Sequence, residues 1–225
     1  MTLLPLSLSA HPSGWNPAGA TGEAAGQHPD LEPSCRFCGF DAAGWQEPFH
    51  LDGDHANTKS SNIVPACPLC HLCQHMDRPR IQDEAVLVWL PEASQGAVVA
   101  LARRIHIVLH TQGEQPHMAR GRPVRTAEPV ASAWAAQLAL RGRADLAMER
   151  LGTTSPLDFA AALLGLSAPA RERGATLLRG LRLLPLGRLH HGGRDAYPDM
   201  LSAWAAAAPG SVRAPRPPPS RAARC

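Results

Sequence analysis

The feature that most constrains this chain is a pair of CxxC motifs. The first, CRFC, spans residues 35–38 and the second, CPLC, spans 67–70, with 28 residues between them. Each motif can turn tightly enough to bring two sulfurs together, so the pair can place four thiolates at the corners of a tetrahedron, the geometry of Zn²⁺ in closed structural sites. The spacing therefore predicts one structural Zn²⁺ held by Cys35, Cys38, Cys67 and Cys70.

The remaining cysteines leave one alternative open. Cys73 forms another CxxC with Cys70 and could replace one of the four ligands, whereas Cys225 is the last residue and has no partner in view. Five of the six cysteines fall between residues 35 and 73. The opening segment MTLLPLSLSA lacks the basic stretch of a signal peptide, so we expect a reducing compartment and a metal site rather than disulfides.

The apolar composition favours helices. Hydrophobic residues make up 44% of the chain but aromatic residues only 4%, so Ala, Leu and Val fill most of the core. We predict an α+β fold, in which a small zinc module precedes a mainly α-helical part. The predicted segments are an N-terminal strand and loop (1–34), the zinc module (35–92), the helical region (93–208) and a disordered Pro/Arg-rich tail (209–225).

Periodicity predicts the individual elements. The alternation of Leu4, Leu6 and Leu8 indicates a short edge strand, and the apolar run 85–90 a buried one. Ser94 can cap an amphipathic helix over 95–111 that carries Arg103 and Arg104 on its polar side. A turn-rich loop is predicted over 112–126, and four further helices over 128–151, 156–165 (with Ser155 as N-cap and Pro156 first), 168–184 and 198–207.

Charge and hydropathy argue against two classes of function, nucleic-acid binding and insertion into a membrane. Residues 1–34 and 35–84 each carry a net charge of −3, whereas 85–225 carry +9. An acidic cysteine segment is poorly suited to binding a phosphate backbone, so we do not expect nucleic acid as a partner. No run approaches the roughly 18 apolar residues of a membrane-spanning helix, and we expect a protein that does not insert into a membrane.

Residues 48–75, PFHLDGDHANTKSSNIVPACPLCHLCQH, resemble the HNH, or ββα-metal, nuclease family in its four-cysteine form. The resemblance implies a treble-clef-like hairpin and helix. In that family the second His of a pair is the general base, the first His and a helix His bind the catalytic metal, and an Asn orients the base. Carried over, the base is His50, the orienting residue is Asn62, and the helix ligand is His71 or His75.

One position departs from the nuclease pattern. Phe49 stands where the family has the first His, and a phenyl ring cannot bind a metal. His55 or Asp54 could substitute only by reaching back across the hairpin turn. We therefore interpret His50, His71 and His75 as packing or capping residues of an inherited scaffold and His55 as a solvated turn residue. A metal-dependent endonuclease with His50 as base is the alternative.

Further motifs, in order along the chain, resemble the DotN/IcmJ family of zinc proteins from type IVB (Dot/Icm) secretion systems. They are CRFCGF, Trp45 and Gln46 leading into LDGDHANTKSSNIVPACPLCHLC, VWLPE at 88–92, LRGLRLLP at 178–185 and, more weakly, HPSGW at 11–15.

This resemblance implies a noncatalytic adaptor. Its helical part would bind the C-terminal extension of a DotL-type coupling ATPase and contact other subunits of the coupling complex. The complex would lie in the cytoplasm, at the inner membrane. The helices would supply either ordinary core faces, as we expect for Trp134, Leu138, Leu163 and Leu164, or an apolar groove for the partner. Candidate rim charges for an acidic partner are Arg103, Arg104, Arg120, Arg122, Arg125, Arg179 and Arg182.

Overall fold

The computed structural model describes residues 2–10, 32–42, 44–118, 128–167, 169–170 and 178–207. Several predictions lie outside these residues. They concern most of the N-terminal loop with its HPSGW motif, the end of the 112–126 loop, residues 168 and 171–177 of the helix predicted over 168–184, and the tail with Cys225.

A hairpin and a short helix form the cysteine-rich module. Strand β1 (Glu47–His50) pairs antiparallel with β2 (Ile63–Ala66), so that Phe49 lies opposite Val64. Helix α1 (Pro68–His71) follows directly and continues into a 3₁₀ turn, Leu72–Gln74. This strand–strand–helix order agrees with the ββα arrangement that the sequence predicted, within an α+β fold.

A second strand pair joins distant parts of the chain. After the short helix α2 (Ile81–Glu84), strand β3 (Ala85–Trp89) pairs antiparallel with β4 (Leu181–Pro185). The helix predicted over 168–184 is therefore wrong over its last residues. Pairing with β3 overrides the helical spacing of the leucines, and the Gln95 side chain donates to the Leu183 carbonyl and accepts from its N–H at 2.8 and 2.9 Å.

Helix α3 (Gln95–Thr111) has the predicted bounds, and its N-cap Ser94 accepts a hydrogen bond from the Ala97 N–H at 3.2 Å. The predicted apolar face is buried except at Val108, which is half-buried, and at Leu101, which is exposed. On the predicted polar side, Arg103 is buried as well, whereas Arg104 is exposed. The helix thus lies between two hydrophobic clusters, and one side chain of its predicted polar side, Arg103, points into the protein rather than to solvent.

The helical part is interrupted where the sequence predicted continuity. The helix predicted over 128–151 is two helices, α4 (Val130–Gly142) and α5 (Ala144–Leu151), separated at Arg143. There the Arg143 carbonyl accepts a hydrogen bond from the Trp89 N–H of β3, which competes with the helical bonding pattern. Helix α6 (Pro156–Gly165) has the predicted bounds and its predicted cap, because Ser155 Oγ accepts from the Asp158 N–H.

The chain then forms a small hairpin, β5 (His190–His191) and β6 (Arg194–Asp195), and ends its described part in α7 (Tyr197–Ala207), close to the predicted 198–207. Trp204 of α7 is fully buried, and its indole N–H donates to the Ala42 carbonyl at 3.0 Å. The last helix is therefore packed against the segment that follows the first cysteine motif.

The N-terminal segment is not the edge strand that we predicted, because no strand is assigned within residues 2–10. Instead, the Leu4 N–H donates to the Arg36 carbonyl and the Ser9 N–H donates to the Cys73 carbonyl. The alternation itself is confirmed, since Leu4, Leu6 and Leu8 pack against the core.

One hydrophobic cluster contains the buried cysteines, Leu181 and Leu183 of β4, and Trp204. It therefore includes residues on both sides of residue 92, where the sequence suggested a boundary. The division into segments stays a prediction. Across the part of the chain that the structure describes, no helix combines the length and hydropathy needed to cross a bilayer.

Candidate metal centre

The first cysteine motif is a tight turn closed by backbone hydrogen bonds. The Gly39 N–H donates to the Cys35 carbonyl and the Cys35 N–H donates to the Phe40 carbonyl, both at 2.9 Å. Gly39 has a φ of +70°, a conformation that glycine adopts without steric cost. The turn therefore directs the side chains of Cys35 and Cys38 to the same side.

The second motif lies at the junction of β2 and α1. Cys67 is the residue before the helix and Pro68 occupies the first helical position, where proline is favoured. The Cys70 N–H donates to the Cys67 carbonyl at 3.0 Å, which closes the turn. A further bond from the Arg36 N–H to the Pro65 carbonyl ties the two motifs together.

The four sulfurs converge as the sequence predicted. The Sγ atoms of the tetrad, Cys35, Cys38, Cys67 and Cys70, all lie within 4.8 Å of one another. Those of Cys38 and Cys67 are 3.7 Å apart, and a tetrahedral ion with metal–sulfur bonds of 2.3 Å would require about 3.8 Å. The tetrad is buried except for Cys38, which is half-buried. It can hold a metal ion.

Cys73 does not belong to the tetrad. Its side chain is fully buried and burial raises the pKa of its thiol, so it behaves as a small core residue. The structure thus assembles the Cys67–Cys70 register rather than the Cys70–Cys73 alternative that the sequence left open.

A buried arginine contacts the tetrad. Arg103 Nη1 donates to Cys38 Sγ at 3.4 Å, and its guanidinium carbon lies 3.7 Å from the centre of the Phe40 ring. Hydrogen bonds from Cys35, Cys67 and Cys70, together with the charge of Arg103, lower the pKa of Cys38. The interpretation of Arg103 as an exposed rim charge was wrong, because its guanidinium is buried and faces the sulfurs instead.

A second cluster of metal-binding side chains lies beside the tetrad. His55, His71 and His75 each place a ring nitrogen within 4.8 Å of those of the others. His55 is half-buried and its ring centre lies 4.6 Å from that of His50. The interpretation of His55 as a solvated turn residue was therefore wrong, since the loop after β1 folds back over the helix.

Asp52 and Asn62 organise this loop. The Asn62 amide donates to Asp52 Oδ1 and to the Asn57 carbonyl, both at 2.9 Å, and accepts from the Asp52 N–H. Asp52 also accepts from the Asn57 amide and the Asp54 N–H, and these bonds, led by that from Asn57, lower the pKa of Asp52 to about 2. The LDGD motif and Asn62 thus fix the path of the loop.

The structure also places the residues of the nuclease pattern. Phe49 is buried, and its ring centre lies 4.4 Å from that of Phe37 and 5.6 Å from that of His71. The Gln74 side chain donates to the His50 carbonyl. Both amide hydrogens of Asn62 are used within the loop, so the side chain of this residue orients the hairpin tip.

Sequence reasoning missed two polar residues at these sites. Glu47 Oε2 lies 2.7 Å from His71 Nδ1, and Arg103 contacts the cysteine tetrad. No pattern in the sequence marks either contact, because Arg103 is 65 residues from Cys38 and Glu47 is 24 residues from His71.

Comparison with models of known protein families finds no match. The chain is similar to the type 4 apparatus protein DotN of Legionella pneumophila, with 25% identity over 179 residues. The similarity covers 78% of this chain and 74% of the Legionella protein. An aligned region of that length must include helices of the C-terminal part as well as the second cysteine motif.

Proposed function

Because the chain belongs to the DotN/IcmJ family, we propose that it is a zinc-stabilised, noncatalytic adaptor subunit of a type IVB secretion coupling complex. The observation that carries this proposal is the extent of the similarity, 179 residues, since a relationship through the zinc motifs alone would span far less of the chain. The type 4 apparatus to which the Legionella relative belongs is then the assembly in which this chain works.

We assign Zn²⁺ to the cysteine tetrad. Four thiolates suit a borderline-soft ion with no geometric preference other than tetrahedral, and no position is left open for a substrate. A tetrathiolate zinc site carries a net charge of −2, which the buried guanidinium of Arg103 partly compensates. The ion would stabilise the hairpin and hold the first cysteine motif against the second, at the junction of β2 and α1. This is a structural role.

The proposed partner is the C-terminal extension of a DotL-type coupling ATPase, and the complex would lie on the cytoplasmic side of the inner membrane. Exposed apolar side chains on the helical part support a docking role. They are Leu138 on α4, Met148 on α5, and Leu157 and Leu166 on and just after α6. The expectation that Leu138 is a core residue was therefore wrong.

Of the candidate rim arginines, Arg104 on α3 is exposed and available to an acidic partner. Arg182 is less suited, because its guanidinium donates to the carbonyls of Ala93 and Arg179. Arg120, Arg122 and Arg125 lie outside the described residues.

Isothermal titration of the zinc-loaded chain with the ATPase C-terminal segment from the same genome tests the adaptor role. We expect saturable binding that a scrambled segment of equal composition does not show. Met148→Ser should weaken binding, whereas Leu3→Ser, which changes an equally exposed side chain at 47% exposure, should not. Absence of heat with folded, zinc-loaded protein would contradict the proposal.

Two contacts support the noncatalytic part of the proposal. Phe49 fills the core where a nuclease needs a metal ligand, and Asn62 uses its amide hydrogens within the loop. We expect no plasmid nicking in Mg²⁺ or Mn²⁺ beyond that of His50→Ala. Nicking that requires metal and disappears in His50→Ala would instead establish the endonuclease alternative.

A further inference from the structure

We propose that His55, His71 and His75 form a second metal site, which binds a divalent transition-metal ion such as Zn²⁺ or Co²⁺ independently of the cysteine tetrad. The ion would link the loop after β1 to α1, the helix that carries Cys70. This site uses a loop histidine as its third donor, at a position that the nuclease pattern does not assign to metal binding.

The spacing of the nitrogens fits one ion. His71 Nε2 and His75 Nε2 lie 3.0 Å apart, and the nitrogen of His55 completes a set within 4.8 Å. Two imidazole nitrogens bound tetrahedrally to zinc at 2.0–2.1 Å would be about 3.3 Å apart. His71 ends α1 and His75 directly follows the 3₁₀ turn Leu72–Gln74, and this turn brings the two rings together with their centres 4.5 Å apart.

A carboxylate orients one of the ligands. Glu47 Oε2 accepts a hydrogen bond from His71 Nδ1 at 2.7 Å, which keeps the proton on Nδ1 and the lone pair on Nε2, the nitrogen that faces His75. Metal-binding histidines in proteins commonly donate their other ring N–H to a carboxylate in this way. Glu47 lies on β1, so a separate element of the module prepares His71 for a cation.

The third ligand is held by a structured loop. Asp52, Asn57 and Asn62 hydrogen-bond to one another across the loop that carries His55. The Ala56 N–H donates to Asp54 Oδ1 at 3.0 Å immediately after His55. His55 is thus placed over the helix before any ion binds, which reduces the entropy lost on binding.

The donor set defines the class of ion. Imidazole suits Zn²⁺, Co²⁺, Ni²⁺ and Cu²⁺, whereas Mg²⁺ requires oxygen ligands. Three protein nitrogens leave a fourth tetrahedral position for water or another ligand. The expected consequence of binding is a more stable hairpin tip rather than a second folding nucleus.

Cobalt titration of the full-length protein, with zinc already in the tetrad, tests the site. We expect one further equivalent of Co²⁺ to bind, with visible d–d bands but without a new near-ultraviolet sulfur-to-cobalt band. Millimolar Mg²⁺ should not compete. His55→Ala and His75→Gln should abolish this binding while the tetrad keeps its zinc, as measured by elemental analysis. Glu47→Gln should weaken it about 10- to 100-fold.

His110→Ala is the matched control, because His110 lies at the far end of α3 and contacts Ser202 rather than this cluster. Its cobalt affinity should equal that of the wild type. The proposal is overturned if the folded chain binds no further equivalent, if a sulfur-to-cobalt band accompanies binding, or if the His55, His75 and Glu47 variants all bind as tightly as the wild type.

Discussion

A Cβ atom on Gly96 would lie 2.5 Å from the carbonyl oxygen of Phe37. The first turn of α3 therefore rests directly against the backbone of the first cysteine motif. This contact explains how a helix outside the cysteine module brings Arg103 to the sulfurs, two turns further along.

Replacing Gly96 by Ala should therefore separate α3 from the cysteine motif. We expect a loss of about 1–3 kcal/mol in the free energy of unfolding, since backbone atoms cannot move aside as a flexible side chain can. Chemical denaturation of the zinc-loaded protein measures the change. Gly142→Ala is the control, because nothing lies within 4 Å of its Cβ position, and it should be neutral or slightly stabilising. Equal stability of Gly96→Ala and wild type would show that the close approach does not matter.

Substitution by serine should have different effects at the cysteine tetrad and at Cys73. Cys67→Ser should release the metal and unfold the module, since binding to structural zinc sites supplies on the order of 10 kcal/mol of folding free energy. Cys73→Ser should keep the metal and lose only part of its stability, because Cys73 is buried outside the tetrad. Elemental analysis and circular dichroism distinguish the two. Full metal content in Cys67→Ser would refute the assigned ligand set.

Arg103→Leu should make the tetrad easier to strip of metal. Loss of the guanidinium removes both a hydrogen bond to Cys38 Sγ and a nearby positive charge, so the thiolates bind protons more readily. In competition with a chelator, we expect about 10- to 100-fold weaker retention. The neighbouring exposed residue provides the control, and Arg104→Leu should retain metal as the wild type does. Identical release curves for all three proteins would contradict a role for Arg103 at the site.

Glu84 should make stability depend on pH. Its carboxylate is fully buried, Oε1 accepts from the His190 N–H, and Arg78 Nε lies 3.2 Å from Oε2. Burial, only partly offset by Arg78, raises the pKa of Glu84 from 4.5 to about 7. The folded state thus holds this proton more tightly than the unfolded chain, and the contribution is complete below pH 4.5 and lost as pH rises to about 7.

The expected loss over this interval is about 3 kcal/mol. Glu84→Gln keeps an oxygen that can accept from His190 but cannot ionise, so its unfolding free energy should fall less between these pH values. Glu92→Gln, which changes an exposed partner of Arg143, should follow the wild-type pH profile. Parallel profiles for Glu84→Gln and wild type would exclude titration of this carboxyl.

Local rules predicted much of the fold. The helix over 95–111 and the helix over 156–165 have the predicted bounds, because the caps Ser94 and Ser155 are encoded beside the residues they serve. The strand 181–185 was predicted as helix, because the spacing of its leucines is compatible with the periodicity of a helix and also with that of a strand. Only pairing with β3 selects the extended form. The break at Arg143 has the same origin, a hydrogen bond from a strand more than 50 residues earlier in the chain.

The sequence by itself determined the cysteine tetrad and the hairpin between its two halves. Both depend on residues that are close in sequence, namely the spacing within each CxxC motif and the turn residues of the loop. Tertiary structure alone decided which polar groups face these sites. Arg103 contacts Cys38, Glu47 contacts His71, and His55 lies over the helix only because packing brings distant segments into register. Such contacts depend on the relative placement of whole elements, and no local pattern of residues encodes that placement.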